Sequence, residues 1–121
     1  MSLCYNPKNT IKPHSESQYD HGGWDVNSLG AELLGGLHEQ LELPMCNANT
    51  GRPPRVLYSM DEETALATAK KLSKISDDDI KFTFEKYAYC WEKTATAVDD
   101  YLQWVRDWQK FLEVCGGYDT D

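Results

Sequence analysis

From Ile80 to Cys115 an apolar or aromatic side chain returns every three or four residues: Ile80, Phe84, Tyr87, Trp91, Ala95, Val98, Leu102, Val105, Trp108, Leu112 and Cys115. That spacing lines them along one stripe of an α-helix, and a stripe this apolar must be buried against something. One unbroken helix over the stretch would run about 55 Å, too long for a compact chain of this size with a radius of gyration of about 14 Å. The expectation is a helical hairpin over residues 76–115 with a break near residues 93–96. The alternative is one long helix that projects from the body or packs on a second subunit. Thr96-Ala97-Val98-Asp99 can cap a fresh start after the break, and Gly116-Gly117 supplies the left-handed stop that ends many helices.

Upstream, Ser76-Asp77-Asp78-Asp79 offers a cap and three carboxylates to the N-terminus of the first hairpin helix, where the helix dipole favours them. Ser59-Met60-Asp61-Glu62 reads as a capping box for another helix with apolar positions at Ala65, Leu66, Ala69, Leu72 and Ile75. A further helix is expected over about residues 27–41 from Val26, Leu29, Leu33, Leu37 and Leu41, with Asp25 or Asn27 as N-cap. Gly30, Gly35 and Gly36 weaken it, so packing has to support it. Pro44 closes that segment, residues 47–54 read as loop, and Val56-Leu57-Tyr58 is a short β-prone run. Residues 1–23, interrupted by Pro7, Pro13, Gly22 and Gly23, read as an irregular N-terminal arm that Tyr5, Ile11 and Tyr19 can pin to the body. A short early strand is compatible with it. The fold class is α+β, predominantly helical, with a C-terminal helical hairpin and a short β element near 56–58. At 121 residues it forms one compact mainly helical domain over 24–121 behind the arm.

Charge narrows the partners. Twenty acids against twelve bases leave a net charge of -8, which repels phosphate backbones, so direct nucleic-acid binding is not expected. The acids concentrate in the second half: residues 1–58 carry six acids and four bases, residues 59–121 fourteen and eight. No apolar run reaches the roughly 20 residues that span a bilayer, and no signal peptide is evident, so no membrane association and a cytoplasmic location are expected. Cys4, Cys46, Cys90 and Cys115 are scattered without a C-x-x-C pair and read as reduced thiols.

The candidate chemistry is thin. His38-Glu39-Gln40-Leu41-Glu42 begins like the H-E-x-x-H of zinc proteases but has Glu where the second His must stand, so a solvated helix face is the expected role. His14, His21, Cys4 and Cys46 would bind zinc only if the arm folded over the first helix. There is no G-x-S-x-G elbow and no glycine-rich phosphate cradle; no catalytic residue, metal or cofactor is expected. Tyr89 and Trp104 fall off the main seam and either contact the first half of the chain or form an exposed aromatic patch. Together with Asp99, Asp100, Asp107 and the basic loop residues Arg52 and Arg55, they are the expected partner-binding residues.

Leu29-Gly30-Ala31-Glu32-Leu33-Leu34-Gly35-Gly36, Arg55-Val56-Leu57-Tyr58, the helix through Ala69, Leu72, Ile75 and Ser76, and the acidic helix with Tyr101, Leu102, Trp108 and Phe111 together resemble the YfbM-like family of small bacterial proteins. The resemblance covers residues 29–115 and implies an α+β fold without an established activity. From the residues themselves, the expected function is that of a small acidic protein-binding module, such as an immunity protein or inhibitor occupying a basic surface of a protein partner. A phage-type anti-defence protein that blocks a nucleic-acid-binding enzyme is a variant. A small-ligand binder or enzyme with a site around His38 is the competing class, and a homodimer is a further option.

Overall fold

A computed structural model describes residues 2–9, 24–44, 59–87 and 94–120. In chain order the elements are β1 (Ser2–Pro7), β2 (Trp24–Asn27), α1 (Ser28–Gln40), β3 (Ser59–Asp61), α2 (Glu62–Lys74), α3 (Asp77–Tyr87), α4 (Ala97–Val114) and β4 (Gly117–Thr120). The four strands form one antiparallel sheet in the order β2-β1-β4-β3, so the two ends of the chain meet at its centre. Met60 stands opposite Tyr118, and Pro7 opposite Tyr118 on the other side. Strand alternation then sends Tyr5, Met60 and Tyr118 into the core, while Asp61 and Asp119 remain exposed on the opposite face.

The helices cover the inner face. α4 packs most extensively against α2 and next against α3, while α1 lies against β2 and α3. Trp108 of α4 is the hub, meeting Tyr5 and Tyr118 edge-on with ring centroids 5.3 and 5.6 Å away and stacking on Phe111. These contacts bring helix and sheet into one core.

The α+β, mainly helical class is as expected, and three local expectations need correction. The arm over residues 1–23 is not wholly irregular, because residues 2–7 form an inner strand whose hydrogen-bonding edges are taken by β2 and β4. Residues 10–23 lie outside the described residues, as do 56–58, where a β element was expected; β3 begins immediately after, at Ser59. Ser59 is therefore not a helix cap. Asp61 takes that role, its carboxylate accepting from the Thr64 amide at 2.7 Å. Thr96 does occupy the N-cap position of α4, but its hydroxyl turns to the Asp100 carboxylate instead of a helix amide. The interruption itself stands at residues 94–96, where the chain is not helical; Lys93 is outside the described residues.

The break also resets the phase of the seam. α4 buries Ala97, Tyr101, Trp104, Val105, Trp108, Phe111 and Leu112, while Val98 and Leu102 are only half-buried and Ala95 is exposed. A helix touching α2, α3 and the sheet needs a wide apolar face, and this one is shifted toward Tyr101 and Trp104.

Two junctions hold the helices in register. Arg106 of α4 donates to the carbonyls of Leu72 and Ile75 at 2.9 and 2.8 Å and to the Asp77 carboxylate at 2.6 Å. One guanidinium thus satisfies the last carbonyls of α2 and grips the first residue of α3. Ser76 caps α3 as expected, accepting from the Asp79 amide.

The end of α1 is a Schellman turn, in which the Leu43 amide donates to the His38 carbonyl and the Glu42 amide to the Glu39 carbonyl. Glu42 occupies its left-handed position at φ 55°, where glycine is the easier residue. Lys71 of α2 donates to the Glu42 carbonyl, a contact that does not involve the Glu42 side chain. Glu42→Gly is therefore expected to stabilise the protein by about 0.5–1 kcal/mol, read as a higher urea midpoint. A lower midpoint would show that the Glu42 side chain contributes more than the strain costs.

Candidate functional site

His38 was the expected centre of any catalytic site, on a solvated helix face. Instead it is fully buried. α1 presents Leu33, Leu34 and Leu37 to the core, and His38, one turn after Leu34, continues that stripe. Its Nδ1 lies 2.9 Å from the Pro44 carbonyl, and its Nε2 lies 3.0 Å from the indole Nε1 of Trp108. The carbonyl can only accept and the indole can only donate, so the ring is neutral with its proton on Nδ1. Burial pushes the imidazole pKa down to about 4, with the Pro44 hydrogen bond opposing in part. A histidine with both nitrogens engaged inside the core has no lone pair to offer a substrate or metal near neutrality. Its role is to fasten α1 to α4.

Other buried groups read the same way. The Thr83 hydroxyl donates to the Ile80 carbonyl at 2.6 Å, so it must accept from the Tyr101 hydroxyl, also 2.6 Å away. Burial pushes the Tyr101 phenol up to about 12. The same effect pushes the buried Cys115 thiol up to about 11, which leaves it unreactive. Among the described residues no three His, Cys, Asp or Glu side chains are grouped to hold a metal ion. Glu39 is exposed and away from that role, whereas His14, His21 and Cys46 are outside the described residues.

The expected partner-binding residues separate. Trp104 is 6% exposed and lies against Tyr101, so it belongs to the core and not to a surface patch. Asp107 is 7% exposed and accepts from Gln103 one turn earlier, which also removes it from any docking face. Asp99 and Asp100 are exposed at the N-terminus of α4, as a binding role requires. Tyr89, Arg52 and Arg55 lie outside the described residues.

What the seam leaves outside is Phe82, 58% exposed on α3. Ile80, Thr83 and Phe84 turn inward, so Phe82, two residues from both Ile80 and Phe84, points to the opposite side of the helix. Asp78 and Glu85 fall on the same outer stripe, one turn before and one turn after it. Phe82 forms a ridge between two surface grooves. One, of about 510 Å³, is lined by Phe84, Ala97 and Val98 with Asp78 and Glu85 at its rim. The other, of about 340 Å³, is lined by Leu41, Ile75, Lys71 and Asp79. The larger groove lies between α3 and the start of α4, where Lys81 and Asp99 pair at 3.6 Å. Lys86 rests over the Phe82 ring, 5.0 Å from its centroid. Lys81 and Lys86 on α3, and Lys71 beside the smaller groove, are thus each engaged within the chain, and Asp78, Asp79 and Glu85 are exposed beside Phe82.

These features define a small α+β protein in which, among the described residues, the buried polar groups are engaged within the core and Phe82 is exposed on an acidic face. Among the described residues no helix is long and apolar enough to cross a membrane. Compared with known proteins, the chain matches no family model, no curated protein and no solved structure. These comparisons neither support nor oppose the YfbM-like resemblance.

Proposed function

We propose that this chain is a small cytoplasmic protein-binding module, an immunity protein or inhibitor whose acidic face occupies a basic surface of a partner protein. The observation that carries the reading is Phe82, a large aromatic held more than half exposed between grooves that Asp78, Asp79 and Glu85 line, with exposed Asp99 paired to Lys81 on the neighbouring helix. Aromatic anchors supply affinity when they are desolvated at an interface, and surrounding charges steer encounter and select the sign of the partner. The competing reading, a ligand or enzyme site around His38, loses its base because that ring is sealed in the core and engaged at both nitrogens.

The test is affinity capture from the cell in which the protein is made, with wild type and an Asp99→Asn/Asp100→Asn variant compared at rising salt. A specific basic protein should be retained by wild type, be released as salt rises, and bind the variant less tightly by about a few-fold per charge removed. A complex indifferent to both salt and the two substitutions would sink the acidic-face reading, as would no complex at all.

A further inference from the structure

We infer that the groove between α3 and α4 receives an amphipathic helix of a partner, one apolar side chain packing beside Phe82 and a Lys or Arg one turn to either side pairing with Asp78 and Glu85. The inference rests on the protein-binding reading and names the site and the chemistry of its occupant.

Spacing carries the first part. Asp78 and Glu85 are seven residues apart, two turns of helix, so their carboxylates are separated by about 10 Å along α3 with Phe82 between them. A helix laid alongside presents cations at the same interval when Lys or Arg stand three or four residues before and after an apolar residue. An extended segment repeats same-side side chains about every 7 Å, and its outward groups would fall out of step with both carboxylates.

The groove carries the second part. Its wall combines Phe84, Ala97 and half-buried Val98 with the exposed flank of Phe82, an apolar strip bordered by Asp78, Lys81 and Glu85. A volume of about 510 Å³ exceeds what one side chain fills, so a row of side chains from a partner element suits it better. Charge selects the occupant. Lys81 is paired with Asp99 and Lys86 lies over Phe82, whereas no ion pair engages Asp78 or Glu85 among the described residues. A second copy of this chain would bring acid stripe against acid stripe, and nucleic acid or an anionic membrane would be repelled for the same reason.

The probe is a synthetic helical peptide with a Leu flanked one turn on each side by Lys, titrated into the full-length isotope-labelled protein and followed by amide NMR shifts. A control peptide carries Glu in place of both Lys. Saturable shifts confined to residues 78–85 and 97–98 are expected, absent with the Glu peptide. Phe82→Ala and Asp78→Asn/Glu85→Gln should each weaken binding by about tenfold. All three positions are exposed, so these variants keep the core intact. Absence of saturable shifts, shifts elsewhere on the surface, equal binding of the Glu peptide, or affinity unchanged in both variants would each overturn the assignment. The two readings fail separately: a salt-sensitive captured partner that still binds Phe82→Ala in full removes the groove while leaving the acidic protein-binding role in place.

Discussion

Taking the protein from pH 7 to pH 4 is expected to remove about 3 kcal/mol of folding stability through His38 alone. In the unfolded chain the imidazole titrates near 6.5; in the folded protein burial lowers it to about 4. Over the interval between those values the unfolded state binds a proton that the folded state refuses. Stability is therefore complete above 6.5 and falls by about 1.4 kcal/mol per pH unit toward 4. Geometry explains the refusal: a proton on Nε2 would point at the indole N–H of Trp108, donor against donor, inside the core. Neither partner can adjust by ionising, since one is a backbone carbonyl and the other an indole. Asp61 adds acid sensitivity in a lower window. Hydrogen bonds from Thr64 lower its carboxyl from 3.8, so its contribution fades only as pH drops below that value. The check is a set of urea denaturation curves across pH 4 to 7 for wild type and His38→Gln. Wild type should lose stability steeply; the variant should begin lower and stay nearly flat. If the variant does not fold, the imidazole resonances of wild type decide the matter, and a His38 ring titrating near 6.5 in the native protein would refute the prediction.

The same histidine shows where reading the sequence succeeds and where it stops. Periodicity placed α1 over about residues 27–41, within a residue or so of where it lies, because a 13-residue amphipathic helix leaves a strong local trace. It did not say which polar residue sits on the buried side. The available signal was the pair Leu34 and His38, one turn apart beside Leu33 and Leu37, which widens the buried stripe to include the ring. What makes His38 tolerable there is Trp108, 70 residues away, and nothing local announces that partner.

The strands were less legible for a related reason. β1 and β4 are six and four residues long and pair across the whole length of the chain. Tyr5 and Tyr118 are buried in them, and strands this short offer little room for a period to show. Helix caps were partly visible: Ser76 performs as its sequence context suggests, while Ser59 was drawn into β3 by pairing with Asp119.

Phe82 is hard to single out in the sequence because the seam that runs across the break at residues 94–96 does not include it. A phase carried through that break puts Trp104 outside the core; the restarted helix places it inside. Within α3 alone the signal is plain: Ile80 and Phe84 share one face, and an aromatic midway between them in sequence must face away. The acidic surroundings were legible as a C-terminal excess of carboxylates, but their arrangement around a groove depends on how α4 docks beside α3. Asp107 illustrates the difference, being one of those acids and yet buried by the same docking.

Gly117→Ala is expected to destabilise the protein by about 3 kcal/mol or more, while Gly116→Ala next to it costs about 1–2 kcal/mol. Both glycines have positive φ, 67° at Gly116 and 91° at Gly117, and end α4 with the left-handed turn that the sequence foreshadowed. Backbone strain alone would make them similar. Their surroundings separate them. A Cβ at Gly117 would stand 2.8 Å from the Met60 carbonyl oxygen and 3.0 Å from backbone atoms of Asp61 and Glu62. Those atoms cannot retreat: Asp61 pairs with Gly117 across the sheet and caps α2, and Met60 is buried opposite Tyr118. Relief would require β4 to draw away from β3, which pulls Tyr118 from its contacts with Tyr5 and Trp108. The nearest atoms to a Cβ at Gly116 belong to the side chain of Asn9, which can rotate away at the cost of its hydrogen bond to the Val114 carbonyl. Urea denaturation of the two variants against wild type measures the contrast. Equal losses would mean that positive φ is the whole constraint and that β4 can shift at the β3–α2 junction to admit a Cβ. A larger loss at Gly117 would establish that junction as the point where the last strand is locked to the helical layer.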